Sequence, residues 1–186
     1  GDRFTAVHAT HLDNADLAAY AAAGASVCLC PTTERDLGDG IGPSSLLAEA
    51  GVAMSLGSDS HATIDLLGEA RAVEVDQRLR TEGRGIHGAS SLLAMATVHG
   101  HAGLGWDDAG MISVGSRADL VTISLDSVRT AGGTADTAIE TAVFAASGAD
   151  ITHVVIDGIV VVAGGRHATI DVAAELSESI RDVMDA

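Results

Sequence analysis

The chain has 186 residues, 47% of them apolar and 19% charged, a balance that excludes a disordered or fibrous polypeptide and leaves room for one domain and a small second. Its formal charge of −16 sets 26 acidic residues against 10 basic ones, all of them Arg. No basic cluster relieves that field locally, which argues against nucleic acid and anionic membrane as partners.

The chain opens at Gly1 rather than Met and reads as the later part of something longer. A short apolar segment at 4–7 runs into His8-Ala9-Thr10-His11, the pattern of a strand that ends in histidine. Asp13 or Asn14 then caps an alanine-rich helix that Gly24 stops. A second buried strand follows at 25–30, halted by Pro31, and residues 32–42 read as a shaped loop of glycines and polar residues. Cys28 and Cys30 lie on that strand, too close to close a normal disulfide, and read as small core residues. With no second cysteine pair the Cys-x-Cys spacing is poor support for a metal site. The absence of a signal peptide or an apolar run of about 20 residues fits a reducing cytoplasm.

A short helix over 43–50 precedes the third strand, 52–56, which breaks off in Gly57-Ser58-Asp59-Ser60-His61. An apolar run delivering a carboxylate to a strand–helix junction is where barrel enzymes keep their chemistry. Asp59 there can ligate a cation and take a proton from water, or it can simply cap the next helix. Three strand–loop–helix units in succession predict parallel strands with right-handed crossovers. Three strands cannot close a barrel, so the sheet is either open or completed by strands from elsewhere.

Beyond this point the spacing predicts a long helix over 63–80, a glycine-broken link at 82–88 and a second helix over 90–98. His99 and His101 read as packing or surface residues. Residues 112–123 predict two short strands joined by a turn, 138–147 a helix, and 154–162 a hairpin turning on Asp157-Gly158. An amphipathic helix from 170 to the end carries Val172, Leu176, Ile180 and Val183 on one face. The divisions expected are 1–108, 109–169 as a small β-sandwich-like domain, and 170–186 as a C-terminal helix.

His8-Ala9-Thr10-His11, Cys30-Pro31-Thr32-Thr33-Glu34 with Leu37-Gly38-Asp39-Gly40-Ile41, and Gly57-Ser58-Asp59-Ser60-His61 together resemble the amidohydrolase superfamily, in the order of its sixth, seventh and eighth barrel strands. Within it they are most similar to the formimidoylglutamate deiminase family. The Cys-Pro-Thr-Thr-Glu string is the most specific part, because deaminases of guanine, cytosine or adenosine type usually carry Asn or Ser there. Residues 110–121 and the Asp157-Gly158 hairpin look like the small β-domain of these enzymes.

The resemblance implies an α/β fold: the C-terminal part, strands six to eight, of a TIM-type barrel plus a small β-rich domain. It implies one Zn2+, with Asp59 as a metal ligand that also handles the proton of water, and His8 as the catalytic histidine that polarises water and substrate. Glu34, Arg35 and His61 are placed near a small-molecule substrate without a defined role. The remaining zinc ligands and the substrate-gripping arginines have no counterpart in this chain and are expected from a missing N-terminal half, the whole enzyme being a homodimer. Two rival readings stand beside it: another aminohydrolase on the same scaffold, since loops set function on barrels, and a non-catalytic assembly fragment.

Overall fold

In the computed structural model, which describes residues 1–60 and 63–185, the first half of the chain alternates strands and helices. They are β1 (Thr5–Val7), α1 (Asn14–Ala23), β2 (Ser26–Leu29), α2 (Pro31–Leu37), α3 (Ser44–Glu49), β3 (Ala53–Leu56), α4 (Leu66–Thr81), α5 (Ala89–Ala96) and α6 (Val98–Gly103). The strands form one parallel sheet in the order β1-β2-β3, with Val7 beside Cys28 and Cys28 beside Ser55. Strand periodicity splits this sheet into two unlike faces. Val27, Leu29 and Met54 go into the core with Leu17, Leu47, Val73 and Leu92. The opposite face carries Thr5, Ser26, Cys28 and Ser55, and the Thr5 and Ser26 hydroxyls meet at 2.7 Å.

Two expectations are corrected here. Residues 31–37 form a helix rather than a loop, because Pro31 occupies its first turn with φ already helical and Gly38 closes it in the left-handed conformation (φ 71°). The next long helix starts at Leu66 and not at 63, because the Asp65 carboxylate caps it by accepting from Leu67 N and Gly68 N at 3.1 Å each. Its buried face is Leu67, Ala70, Val73 and Gln77, with Glu69 and Glu74, whereas Ile64 and Leu79 are exposed. Glu74 holds the 82–88 link onto the helix. Its carboxylate accepts from Gly85 N (2.8 Å), His87 N (2.7 Å) and Arg78 Nε (2.7 Å).

The second half contains β4 (Leu120–Ile123), α7 (Ala138–Phe144), β5 (Ile151–Ile156), β6 (Ile159–Ala163), β7 (Arg166–His167) and α8 (Val172–Met184), the four strands making an antiparallel sheet in chain order. The hairpin turns on Asp157 (φ 50°) and Gly158 (φ 79°), the positive angles a tight turn requires. Only one of the two strands expected over 112–123 forms. Gly110 and Gly115 both take positive φ and Ser116 N turns back onto Ser113 O, so the earlier stretch has no partner strand among the described residues. Gly110 is fixed by space as well, since a side chain there would sit 2.7 Å from Val98 Cα.

α7 leaves the second sheet and packs on α4 and α5, burying Val143 in the first core, while Arg71 Nε donates to Val143 O at 3.0 Å. Below it the buried Asp150 carboxylate accepts a two-pronged bond from Arg129 (2.8 and 2.9 Å), which holds its carboxyl well below the usual range. α8 is helical as expected, but Val172, Leu176, Ile180 and Val183 are all exposed. Among the described residues, no helix is long and apolar enough to cross a membrane.

Candidate functional site

The parallel ladder runs on past the strands to hold the site. His8 N donates to Cys28 O at 2.8 Å and Gly57 N to Leu29 O at 3.0 Å, so the ends of β1 and β3 are both pinned to β2. Beyond these bonds the backbone turns left-handed at His8 (φ 67°), Ala9 (φ 49°) and Asp59 (φ 44°). For residues other than glycine this costs about 1–3 kcal/mol each, a cost that clusters where side chains must be aimed. Here the aim brings His8 Nε2 to 3.5 Å from Asp59 Oδ2, with 30% and 43% of the two side chains exposed. Asp59 does not cap the following helix, since Asp65 does that; its carboxylate is left for the open end of the sheet.

The first turn of α2 fixes this geometry through three successive side chains. Thr32 N donates to Glu69 Oε2 at 3.0 Å, and its hydroxyl donates to Glu69 Oε1, tying the turn to α4. Thr33 Oγ1 accepts from Ser60 N at 3.2 Å and donates to Ser58 O at 3.3 Å, which grips the loop carrying Asp59 from both sides. Glu34 Oε1 accepts from Cys30 N at 2.8 Å and lies 3.4 Å from His8 Nδ1. Only 6% of the Glu34 side chain is exposed, and burial pushes its carboxyl up, opposed by the Cys30 N–H and by His8.

Glu34, expected near substrate, therefore stands behind His8 and faces inward. Arg35 is committed elsewhere, its Nε and terminal nitrogen donating to Asp76 Oδ1 at 3.2 and 2.7 Å. His61 lies outside the described residues. Thr32 and Thr33 received no role from sequence reasoning. The signal was present in Cys-Pro-Thr-Thr-Glu: a proline that starts a helix at the strand's end makes the next three side chains fan out.

The two cysteines sit beneath the site. Gly57 makes room for them, for a side chain there would lie 3.2 Å from both sulfurs. The Cys30 thiol's hydrogen bond holds Cys28 down to about 7, while the same contact and burial push Cys30 up. His99 Nδ1 and His101 Nδ1 bond to the carbonyls of Met54 (3.2 Å) and Thr97 (2.9 Å), the packing role expected for them. His87 is buried against Ser44 Oγ at 2.9 Å, and burial lowers its pKa.

A half-exposed carboxylate beside an imidazole suits a borderline cation with oxygen and nitrogen ligands. The Asp59 carboxylate can supply one donor of a four-coordinate shell, with His8 beside it, and among the described residues no group of three or more His, Cys, Asp and Glu stands ready to hold a metal. The donor set fits one part of a zinc shell.

Curated relatives resemble this chain in sequence over a limited part of their length. The chain is 35% identical over 172 residues to formimidoylglutamate deiminase of Pseudomonas aeruginosa, covering 89% of this chain and 38% of that protein. It is 32% identical over 178 residues to 5-methylthioadenosine/S-adenosylhomocysteine deaminase of Haloarcula marismortui, covering 94% and 40%. Among solved structures, an adenosine deaminase from Xanthomonas campestris with bound zinc superposes with a TM-score of 0.89 at 28% identity, over 97% of this chain and 42% of that one. An amidohydrolase from Brucella melitensis gives 0.85 at 29%, over 100% and 42%. The chain thus spans about two fifths of the length of the relatives it matches. Residues 1–161 match the amidohydrolase family, and the chain belongs to that family.

Proposed function

We propose that this chain supplies one side of the active site of a zinc-dependent deaminase that hydrolyses N-formimidoyl-L-glutamate to N-formyl-L-glutamate and ammonia. The observation that carries the reading is the His8–Asp59 pair, two side chains aimed at each other from left-handed backbone at the ends of the two outer strands of the parallel sheet. An assembly module has no need of that strain. The Thr-Glu of the α2 turn and the 35% identity to a formimidoylglutamate deiminase favour this substrate over an adenosine-type one.

Asp59 would hold the metal through its carboxylate, with the other ligands supplied by residues outside this chain. Zinc, when bound, brings the pKa of water down to about 7. Asp59 accepts the proton of the attacking water at its carboxylate. His8 Nε2, 3.5 Å away, shares that proton and as the charged ring steadies the tetrahedral centre formed at the formimidoyl carbon. Ammonia leaves as the C–N bond breaks, protonated by a group outside this chain.

The test is a hybrid in which this chain replaces the matching segment of the P. aeruginosa enzyme, assayed on formimidoylglutamate, adenosine, S-adenosylhomocysteine and guanine. Turnover of formimidoylglutamate above the others supports the reading. Preference for a purine substrate would replace it with the adenosine-type deaminase reading that the Haloarcula relative represents.

A further inference from the structure

Cys28 and Cys30 are the two cysteines of this chain, both free thiols, and the proposed chemistry uses neither. Residues two apart on an extended strand present their side chains to the same face. Gly57, just past the end of β3, shows how closely these two converge: one point, the place a β-carbon would take, lies 3.2 Å from each sulfur. We propose that the pair is a dithiol site for thiophilic trivalent arsenicals, closed by a single arsenic atom that bonds both sulfurs beside Gly57.

The chemical class follows from what the site offers and what it lacks. Thiols are soft donors and select soft partners. A tetrahedral zinc would need two further ligands, and among the described residues no third His, Cys, Asp or Glu joins the pair in a metal-holding group. An organic arsenoxide brings its third substituent with it and asks the protein for two sulfurs only. In the reaction the arsenic–oxygen bond breaks, two As–S bonds form, and both thiol hydrogens leave with the oxygen as one water; arsenic stays trivalent throughout. A direct S–S bond between residues two apart fits disulfide geometry badly, whereas an intervening atom lengthens the bridge. Both sulfurs are set before the guest arrives. Cys28 O accepts from His8 N at 2.8 Å and Cys30 N donates to Glu34 Oε1 at 2.8 Å, which fixes the backbone on either side of Leu29 and leaves little to be ordered on binding. The half-buried Cys28, beside Ser55 on the polar face, makes the first bond, and the buried Cys30 makes the second from within the molecule.

The experiment treats this chain with phenylarsine oxide, then with rising glutathione, and reads intact mass. The expected result is one adduct per chain, heavier by one phenylarsenic group and lighter by two hydrogens, with both cysteines blocked to iodoacetamide. Because the second bond is intramolecular, stripping the adduct should take at least about a hundredfold more glutathione than in Cys28→Ser or Cys30→Ser, where one sulfur remains. Gly57→Val keeps both thiols and sets a side chain between them, so its adduct should be stripped nearly as easily as those of the serine variants. The proposal is overturned if the native chain takes up two phenylarsenic groups or none, if it releases the group as easily as the serine variants do, or if Gly57→Val holds it as tightly as the native chain. Should Gly57→Val not fold, the native chain and the two serine variants decide by themselves. The site does not rest on the deaminase reading, and its test involves no turnover.

Discussion

The two sheets of this molecule are built on opposite terms. The parallel one has a buried apolar face of Val27, Leu29 and Met54 under four helices, and it bears the strained residues His8, Ala9 and Asp59 at its strand ends. The antiparallel one leaves Val121, Ile156, Ile159 and Val160 in contact with solvent, as does the apolar stripe of α8, and the described residues there hold no reactive cluster. Strained aim is tolerated where the surrounding packing over-determines it. A site of this kind therefore belongs on the first sheet, and α7, which crosses from the second half to bury Val143, strengthens that side further.

Truncations on each side measure the contrast most strongly. Leu92→Ala, in the fully buried core, should cost about 2–5 kcal/mol in urea unfolding. Ile159→Ala and Leu176→Ala should change stability by no more than about 0.5 kcal/mol. A large loss at Ile159 would show that the second sheet is covered in solution and would dissolve the contrast. Next in size is Glu74→Ala, which removes the acceptor of the Gly85 N–H and of the buried His87 N–H and should cost about 3 kcal/mol by the same method. The link between α4 and α5 should then open first to hydrogen exchange.

Much of this was legible in the chain itself, and the misses share a cause. The strand ends at His8 and Asp59 could be seen because an apolar run broken by polar residues has no other economical reading. The helix α2 could not, since glycines and threonines at 32–42 look like loop until one knows that Pro31 starts a helix and Gly38 ends it. The inward turn of Glu34 and the bond between Arg35 and Asp76 depend on where α4 packs, information that no local pattern holds. The strand expected near 112 failed for the same reason: alternation promises a strand, but only a neighbour makes one.

The pH response sharpens the comparison from another side. His87 is neutral by burial, so the folded chain binds fewer protons there than the unfolded one around the ordinary imidazole value of 6.5. Its contribution to stability is present above that value and is lost as pH falls towards its lower folded value. Glu74 and Asp150, both depressed, add a second loss through the carboxylate range, while Glu34, raised, opposes them there. Urea midpoints should fall as pH drops below about 6.5, and His87→Gln should flatten that first step. The smallest effect is chemical. Iodoacetamide should modify the half-buried Cys28 before the buried Cys30, with a rate rising through about 7, and peptide mapping would read the order.

The central claim is that Asp59 holds metal and His8 moves a proton beside it, and zinc content measured alongside turnover tests it most directly. In the hybrid with the P. aeruginosa enzyme, Asp59→Ala should lose zinc and activity together. His8→Asn should keep zinc and lose activity by about a hundredfold. Full zinc and full turnover in Asp59→Ala would contradict the account, as would an unchanged rate in His8→Asn.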